Sequence, residues 1–320
     1  MSTAKTTYVY GPVPSRRLGR SLGVDLIPYK TCSYDCIYCQ LGRTTRKTIA
    51  RKEYAPIENI IKSVKERLAE SVRPDYITLA GSGEPTLHSG LGELITRLKG
   101  ITDIPLAVIT NGSLLWDHTV RQNLQDADIV LPSLDAGDEV VFELINRPHR
   151  SISFSKMVDG ITTFVREFHG QVWLEIMLLA EINSTESAIE NIAALTRQIN
   201  PARLQLNSVF RPGAETYATC LSRERLEKIA SFFPGEVDIV SEPIQNNEVI
   251  SPIPGGNNTA ILSLLERRPC TIADIATGLS LHPTEVVKLI DKLLHDKKVC
   301  ATKKGDLLFY NLWRDANNVP

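Results

Sequence analysis

The strongest constraint on the fold of this chain is a regular alternation of two kinds of segment between about residue 20 and residue 245. Short apolar runs rich in valine, isoleucine and leucine alternate with longer segments whose apolar residues recur every three or four positions. This alternation predicts βαβ units around a parallel sheet, and therefore an α/β fold. The predicted strands are 21–27, 76–81, 105–111, 128–135, 171–179 and 203–210, with an edge strand at 237–243.

Polar or glycine-containing clusters follow most of these predicted strands. They read GSGEP at 81–85, TNG at 110–112, SLDA at 133–136 and RPG at 211–213. Because parallel α/β folds build their sites at the carboxyl ends of strands, these clusters predict one shared site.

The pattern changes at residues 251–258, whose proline, glycine and asparagine content predicts a linker. Beyond it, residues 259–268, 271–280 and 282–299 have helical spacing, and 300–312 has the pattern of a hairpin turning at 304–306. Three helices followed by a hairpin predict a winged helix. We therefore divide the chain into a main domain at 1–250, a linker at 251–258 and a winged-helix domain at 259–320.

The composition is that of a globular protein, with 42% hydrophobic residues and a formal net charge of -1. The amino-terminal segment lacks an apolar signal region, and no run of about 18 apolar residues occurs. We therefore expect a cytoplasmic protein without membrane association. Because cytoplasmic thiols stay reduced, clustered cysteines indicate metal binding or catalysis rather than disulfides.

Three of the six cysteines, Cys32, Cys36 and Cys39, lie within eight residues in the spacing C-x3-C-x2-C. A structural zinc site normally needs four ligands, so a distant His88, His118 or His149 would have to complete it. A [4Fe-4S] cubane is normally held by four cysteines, and three would leave one iron open to a further ligand. The spacing favours the cluster, and we expect the remaining cysteines to be buried as small apolar residues.

The triad with an aromatic residue before its last cysteine, together with GSGEP and SLDA in that order, resembles the radical S-adenosylmethionine (SAM) superfamily over about residues 10–245. The resemblance implies a partial (β/α)6 barrel, similar to a TIM barrel, bearing a [4Fe-4S] cluster on Cys32, Cys36 and Cys39. It also implies reductive cleavage of SAM to a 5'-deoxyadenosyl radical that abstracts hydrogen from a substrate. A low-potential electron donor of the flavodoxin or ferredoxin type would be a partner.

The resemblance also assigns SAM-binding roles. It places Tyr38 against the adenine and Glu84 on the SAM ammonium. The residues expected to complete the SAM site are Gly81, Ser82, Gly83, Asn111, Ser133, Glu175 and Asn207. Alternatives stay open from the residues alone: the glycines can be turn formers, Asn111 can turn the chain, and Glu175 can pair with an arginine inside the barrel.

The stretches SGEPTL and SLDA....ELINRP are similar to the branch of the superfamily that contains the wyosine-base synthases, which remodel a guanine in transfer RNA. Two features depart from that branch. Residues 1–31 contain no second cysteine set, and those enzymes do not as a rule end in a winged helix. We therefore leave the substrate unassigned within this branch.

Cationic residues near the predicted strand ends favour an anionic substrate such as RNA, a nucleotide or a phosphorylated metabolite. They are Arg16, Arg17, Arg147, His149 and Arg211, although Arg211 can instead anchor its loop. The winged helix predicts binding of DNA or RNA, recognition of a peptide, or a structural lid. An alternative from a different class is a winged-helix regulator whose cluster senses redox state or SAM.

Overall fold

The computed structural model of the chain describes residues 8–70, 73–240, 258–279 and 281–313. The strands of its main domain are β1 (Val9–Ser15), β2 (Gly19–Val24), β3 (Thr31–Cys32), β4 (Arg46–Lys47), β5 (Tyr76–Leu79), β6 (Leu106–Thr110), β7 (Ile129–Pro132), β8 (Gln171–Leu178), β9 (Arg203–Ser208) and β10 (Val237–Val240). Its helices are α1 (Ile57–Leu68), α2 (Leu91–Lys99), α3 (His118–Asn123), α4 (Glu139–Asn146), α5 (Phe154–Glu167), α6 (Glu186–Ile199) and α7 (Arg223–Ala230).

One eight-stranded sheet carries the main domain, in the order β1-β2-β5-β6-β7-β8-β9-β10. All neighbours from β2 to β10 pair in parallel, whereas β1 pairs antiparallel with β2. Helices follow the strands, and the sheet curls into a partial barrel. The predicted α/β class and partial (β/α)6 barrel are therefore confirmed. The predicted edge strand is present as β10, and residues 241–243 lie outside the described part of the chain.

The apolar patterning explains why these segments form a barrel. In α1, the buried residues Ile57, Ile60, Ile61 and Val64 recur at helical spacing and form the face against the sheet. The central strands are apolar on both faces, as parallel strands covered by helices require. Five helices of the main domain are preceded by a capping residue whose side chain accepts a hydrogen bond from a backbone amide of the first turn. Each such cap stabilises its helix by about 1 kcal/mol. The capping residues are Asp117, Asp138, Ser153, Thr185 and Ser222.

Beyond residue 258 the chain forms a C-terminal module of three helices and one hairpin. Its elements are α8 (Asn258–Leu265), α9 (Ile272–Leu279), α10 (Pro283–His295), β11 (Val299–Lys304) and β12 (Leu307–Leu312). The hairpin turns at Gly305, whose φ of 58° suits glycine. The order of elements agrees with the sequence expectation, while the predicted linker lies outside the described residues except for Asn258, which begins α8.

The C-terminal module packs on the outer strand of the barrel. Val13 of β1 contacts the apolar core of the module, and α9 lies against β1. Strand β1 was not predicted, and it supplies the surface on which the module docks. In the described residues, the helices are too short or too polar to cross a bilayer.

Candidate active site

A cavity of about 400 Å³ opens at the carboxyl ends of the barrel strands. This volume lies in the range of small-molecule sites. The cavity brings together most of the predicted site residues: Cys32, Cys36, Cys39, Tyr38, Gly81, Gly83, Glu84, Asn111, Ser133, Glu175, Asn207, Arg16, Arg17 and Arg211. The polar strand ends therefore do converge on one place, as the parallel topology predicts.

The cysteine loop places three thiols on one wall of this cavity. Cys32 ends β3, and the amide of Cys39 donates to the carbonyl of Cys36 at 3.1 Å, which turns the loop back on itself. Each sulfur also receives a side-chain donor from elsewhere in the barrel or loop. Asn111 donates to Cys32 Sγ at 3.5 Å, Asn146 to Cys36 Sγ at 3.6 Å, and the Lys30 ammonium to Cys39 Sγ at 3.1 Å. Donors of this kind orient the sulfurs and stabilise the thiolates that form once a metal displaces the protons.

The surroundings of two of the thiols control their ionisation. Burial, reinforced by the carboxylate of Glu84, raises the pKa of Cys32 to about 12, and burial raises the pKa of Cys36 well above its usual range. These two thiols therefore keep their protons at neutral pH until a metal displaces them.

The described residues include no three His, Cys, Asp or Glu side chains close enough to hold a single metal ion. Thiolates on three corners of a cubane lie further apart than the ligands of one ion, and the soft, all-sulfur donor set suits iron and sulfide. The residues present fit the cluster.

Glu84 fastens the GSGEP loop to the end of β6. Its buried carboxylate accepts hydrogen bonds from Thr86 N at 3.0 Å, Thr86 Oγ1 at 2.6 Å, Thr110 Oγ1 at 2.6 Å and Asn111 N at 2.8 Å. Burial raises its pKa despite these four donors. The carboxylate is thus locked in position at the cavity wall.

The two glycines of the same loop lie where the neighbouring chain leaves no room for a larger side chain. A Cβ on Gly81 would lie 2.4 Å from the carboxyl carbon of Asp25, and one on Gly83 would lie 2.1 Å from the carbonyl oxygen of Thr31. Ser82 between them turns away from the cavity, and its hydroxyl donates to Asp25 at 2.6 Å. Ser82 is therefore a predicted site residue that does not line the cavity.

A buried network fixes the aromatic side chain of the cysteine loop. The Tyr38 hydroxyl donates to Asp135 Oδ2 at 2.5 Å, and Asn146 donates to the same oxygen at 2.7 Å. Burial raises the pKa of Asp135 to about 6. Asp135 and Asn146 were not predicted as site residues, although they lie within SLDA and ELINRP, because their roles depend on contacts across the barrel.

Glu175 has a cationic partner. Arg17 and Asn207 both donate to its Oε1, the latter at 2.8 Å. The alternative in which Glu175 pairs with an arginine inside the barrel agrees with these contacts, although the side chain still lines the cavity.

Two predicted substrate residues do not line this cavity. The Arg147 guanidinium donates to Glu215 at 2.7 Å and to the hydroxyl of Tyr217 at 2.9 Å, and neither partner lines the cavity. His149 accepts from the amide of Ser151 at 3.3 Å, a local contact within its own turn.

Arg211 lines the cavity but also anchors its loop. Its guanidinium donates to the carbonyl of Pro269 at 2.9 Å and pairs with Asp274 at 3.2 Å, both in the C-terminal module. The module in turn contributes Leu264, Arg267 and Arg268 to the cavity wall, which the sequence did not predict.

Among the other cysteines, the expectation of burial is met by Cys270. It is wrong for Cys220, which is exposed, and Cys300 is partly exposed. None of the three lines the cavity.

The fold and the thiol-lined cavity are those of an enzyme that works with a bound cofactor inside a partial barrel. Residues 26–195, more than half of the chain, match the radical SAM superfamily, and the chain belongs to it. Members of this superfamily use a [4Fe-4S] cluster and SAM, and these are the cofactors of this enzyme.

Similar proteins support the assignment. Over 299 residues the chain is 41% identical to a protein of Brachyspira hyodysenteriae named GTPase Obg, covering 93% of this chain but only 44% of that protein. It is 36% identical to UPF0026 protein MJ1312 of Methanocaldococcus jannaschii, covering 95% of each. It is 31% identical over 138 residues to the GTP 3',8-cyclase of Staphylococcus saprophyticus, covering 41% of this chain and 38% of that enzyme.

Among solved structures, a radical SAM methyltransferase from Sphaerobacter thermophilus matches with a TM-score of 0.52 and 17% identity. The match covers 68% of this chain and 66% of the methyltransferase. At that identity the likeness shows the fold alone.

Proposed function

We propose that this enzyme holds its cluster on Cys32, Cys36 and Cys39, binds SAM beside it, and removes a hydrogen atom from a nucleoside phosphate. The observation that carries the proposal is the convergence of three thiols and the polar strand ends on one cavity. When bound, the reduced cluster supplies the electron that splits the SAM sulfonium into methionine and a 5'-deoxyadenosyl radical.

The protein's own residues provide binding, orientation and shielding. Lys30, Asn111 and Asn146 orient the three sulfurs through the donors described above. Glu84, locked by four hydrogen bonds, presents a fixed negative group for the SAM ammonium, and Tyr38, held by Asp135, offers its ring to the adenine.

The remaining SAM contacts are assigned to groups at the strand ends. The backbone of Gly81 and Gly83 lines the cavity, as do the side chains of Asn111, Ser133, Glu175 and Asn207. Ser82 acts through Asp25 by fixing the loop, since its hydroxyl is already committed there. We assign these groups to the SAM carboxylate and ribose.

The charge of the cavity supports an anionic substrate. Five arginines line it against two glutamates, and both glutamates are already hydrogen-bonded within the protein. Similarity to a GTP 3',8-cyclase, whose name specifies a nucleotide substrate, favours a nucleoside phosphate over a peptide. A cavity of about 400 Å³ is far smaller than a nucleic-acid duplex, which favours a small substrate.

Three finer assignments belong to the same proposal. The electron donor is of the flavodoxin or ferredoxin type, working in the cytoplasm. The C-terminal module is a winged helix, and its hairpin together with Lys288 and Lys292, one turn apart on α10, forms the surface for RNA, DNA or a peptide. The enzyme is a relative of the wyosine-base branch that acts on a different substrate.

The test is formation of 5'-deoxyadenosine by the full chain after anaerobic reconstitution, with SAM and dithionite, and with iron and sulfide counted on the same sample. We expect product and about four irons per chain, as one cubane requires. Cys36→Ala should abolish product and lower the iron count, whereas Cys300→Ala, outside the cavity, should retain both. Product from Cys36→Ala at the wild-type rate would contradict the cluster assignment.

A second measurement separates an enzyme from a sensor and identifies the substrate class. GTP and other nucleoside triphosphates should increase 5'-deoxyadenosine formation, and a substrate deuterated at the reacting carbon should transfer deuterium to the product. Stimulation by peptide mixtures but by no nucleotide would overturn the nucleoside phosphate assignment while leaving the radical chemistry in place.

A further inference from the structure

The C-terminal module is a fixed part of the cavity wall. Leu264, Arg267 and Arg268, at and after the end of α8, line the same cavity as the three thiols. The module is held there by the bonds from Arg211 to Pro269 and Asp274, and the Lys304 ammonium donates back to the carbonyl of Arg211 at 2.8 Å. The cavity is therefore incomplete without residues far along the chain.

Three of the five cavity arginines have a carboxylate close by. Arg17 donates to Glu175, Arg211 pairs with Asp274, and Arg267 lies 4.0 Å from Asp25 while its guanidinium covers the ring of Tyr10. Carboxylates of the protein itself therefore lie close enough to compensate the positive charges of these three arginines.

Arg16 and Arg268 differ from the other three. Arg16 donates to the carbonyl of Val240 at 3.2 Å and lies 5.4 Å from the ring centroid of Phe210, but it has no carboxylate partner in the described residues. The guanidinium of Arg268 makes neither a hydrogen bond nor an ion pair with any part of the chain that the structure describes. Both side chains are half-buried.

The two groups lie in a strongly positive environment. Burial and the neighbouring charges of Arg211 and Arg17 lower the pKa of Arg16 to about 10; Glu175, already paired with Arg17, offsets part of this effect, and Arg268 adds to it. Half-buried cations without a carboxylate in direct contact are costly, and the cost falls when a ligand supplies negative charge. In addition, Arg17 Nε is buried without a hydrogen-bond partner in the described residues, so another donor is available at the same wall.

We propose that Arg16 and Arg268 bind the phosphate of the substrate, so that the C-terminal module supplies half of the anion site. The proposal rests on the proposed function, because the substrate must enter the cavity that holds the thiols. Guanidinium groups match phosphate with paired N–H donors, which a single ammonium does not. The module is then a specificity element of the active site.

The experiment measures anion binding by calorimetry on the full chain at low ionic strength. The probes are inorganic pyrophosphate and, as a carboxylate comparison, succinate. Arg16→Gln and Arg268→Gln should each weaken pyrophosphate binding at least about tenfold, or ~1.4 kcal/mol. The matched control is Arg166→Gln, which should bind as the wild type does. Arg166 is exposed in the last turn of α5, near the amino end of β8, whereas the cavity lies at the carboxyl ends of the strands.

Arg268→Lys tests the geometry and guards against misfolding, since it keeps the charge but loses the paired donors. It should bind pyrophosphate with an affinity between those of the wild type and Arg268→Gln. The proposal is overturned if the wild type shows no saturable pyrophosphate binding, if Arg268→Gln binds as the wild type does, or if succinate binds as tightly as pyrophosphate. Pyrophosphate binding requires no SAM cleavage. A failure of this proposal can therefore be distinguished from a failure of the proposed radical chemistry.

Discussion

The contact between Arg211 and the C-terminal module is a single point at which docking can be weakened. Replacing Arg211 by Met keeps most of the apolar stem but removes donors to Pro269 O at 2.9 Å and Asp274 Oδ1 at 3.2 Å. The side chains of the Arg211–Asp274 pair are each only 12% exposed, so the carboxylate left behind is mostly buried. Breaking a buried pair costs about 3–5 kcal/mol.

We take the lower end, about 3 kcal/mol, because Asp274 keeps its bond from the amide of Thr271 at 3.0 Å. At ~1.4 kcal/mol per tenfold, this raises the population of the undocked module by roughly a hundredfold. Hydrogen exchange read by mass spectrometry should therefore accelerate in peptides covering β1 and α9, which lie against each other, and not in peptides covering β5 to β7.

Two further variants decide the interpretation. Arg73→Met removes a pair with Asp103 at 2.7 Å whose side chains are 67% and 81% exposed, and because solvent screens such a pair it should leave stability close to that of the wild type. Adding Asp274→Asn to Arg211→Met removes the orphaned charge and should recover part of the loss. Equal exchange in Arg211→Met and Arg73→Met, or acceleration spread over the whole barrel, would refute the reasoning.

Two other predictions concern the cofactor residues. Glu84→Gln should weaken SAM binding, measured by calorimetry, at least about tenfold, because the amide cannot accept all four hydrogen bonds and lacks the charge. Glu58→Gln on the surface is the control, and equal SAM affinities of the two variants would remove Glu84 from the site. Lys30→Met should shift the cluster potential, measured by a redox titration followed by electron paramagnetic resonance, to more negative values by on the order of 60 mV, because it removes a cation 3.1 Å from Cys39 Sγ. An unchanged potential would show that this ammonium does not act on the cluster.

The sequence predicted those parts of the fold that depend on local pattern. The parallel strands β5 to β9 appear within a few residues of their expected positions because they are short apolar runs bounded by polar clusters. Strand β1 was not predicted, since VYGPVPS contains two prolines and a glycine, and such residues are tolerated only at the edge of a sheet, where β1 lies.

At the site, the sequence likewise predicted what depends on neighbouring residues but not what depends on contacts between distant segments. The spacing of the cysteines identified the metal loop, but the donors to their sulfurs include Asn146, which lies 110 residues from Cys36. Arg147 was expected to face the substrate, and Glu215, 68 residues away, holds it outside the cavity. Arg268 could not be predicted, because its place in the cavity depends on how the module docks.

The position of β1 has a consequence for how the molecule assembles. Val13 in this strand contacts a module whose described residues begin at 258, so the cavity wall closes through contacts between segments more than 240 residues apart. Contacts of such large sequence separation form late in folding, because the chain must lose the entropy of a long loop before they form. We therefore expect the barrel to organise its thiols while one side is still open, and the cavity to reach its final shape only when the module docks on β1.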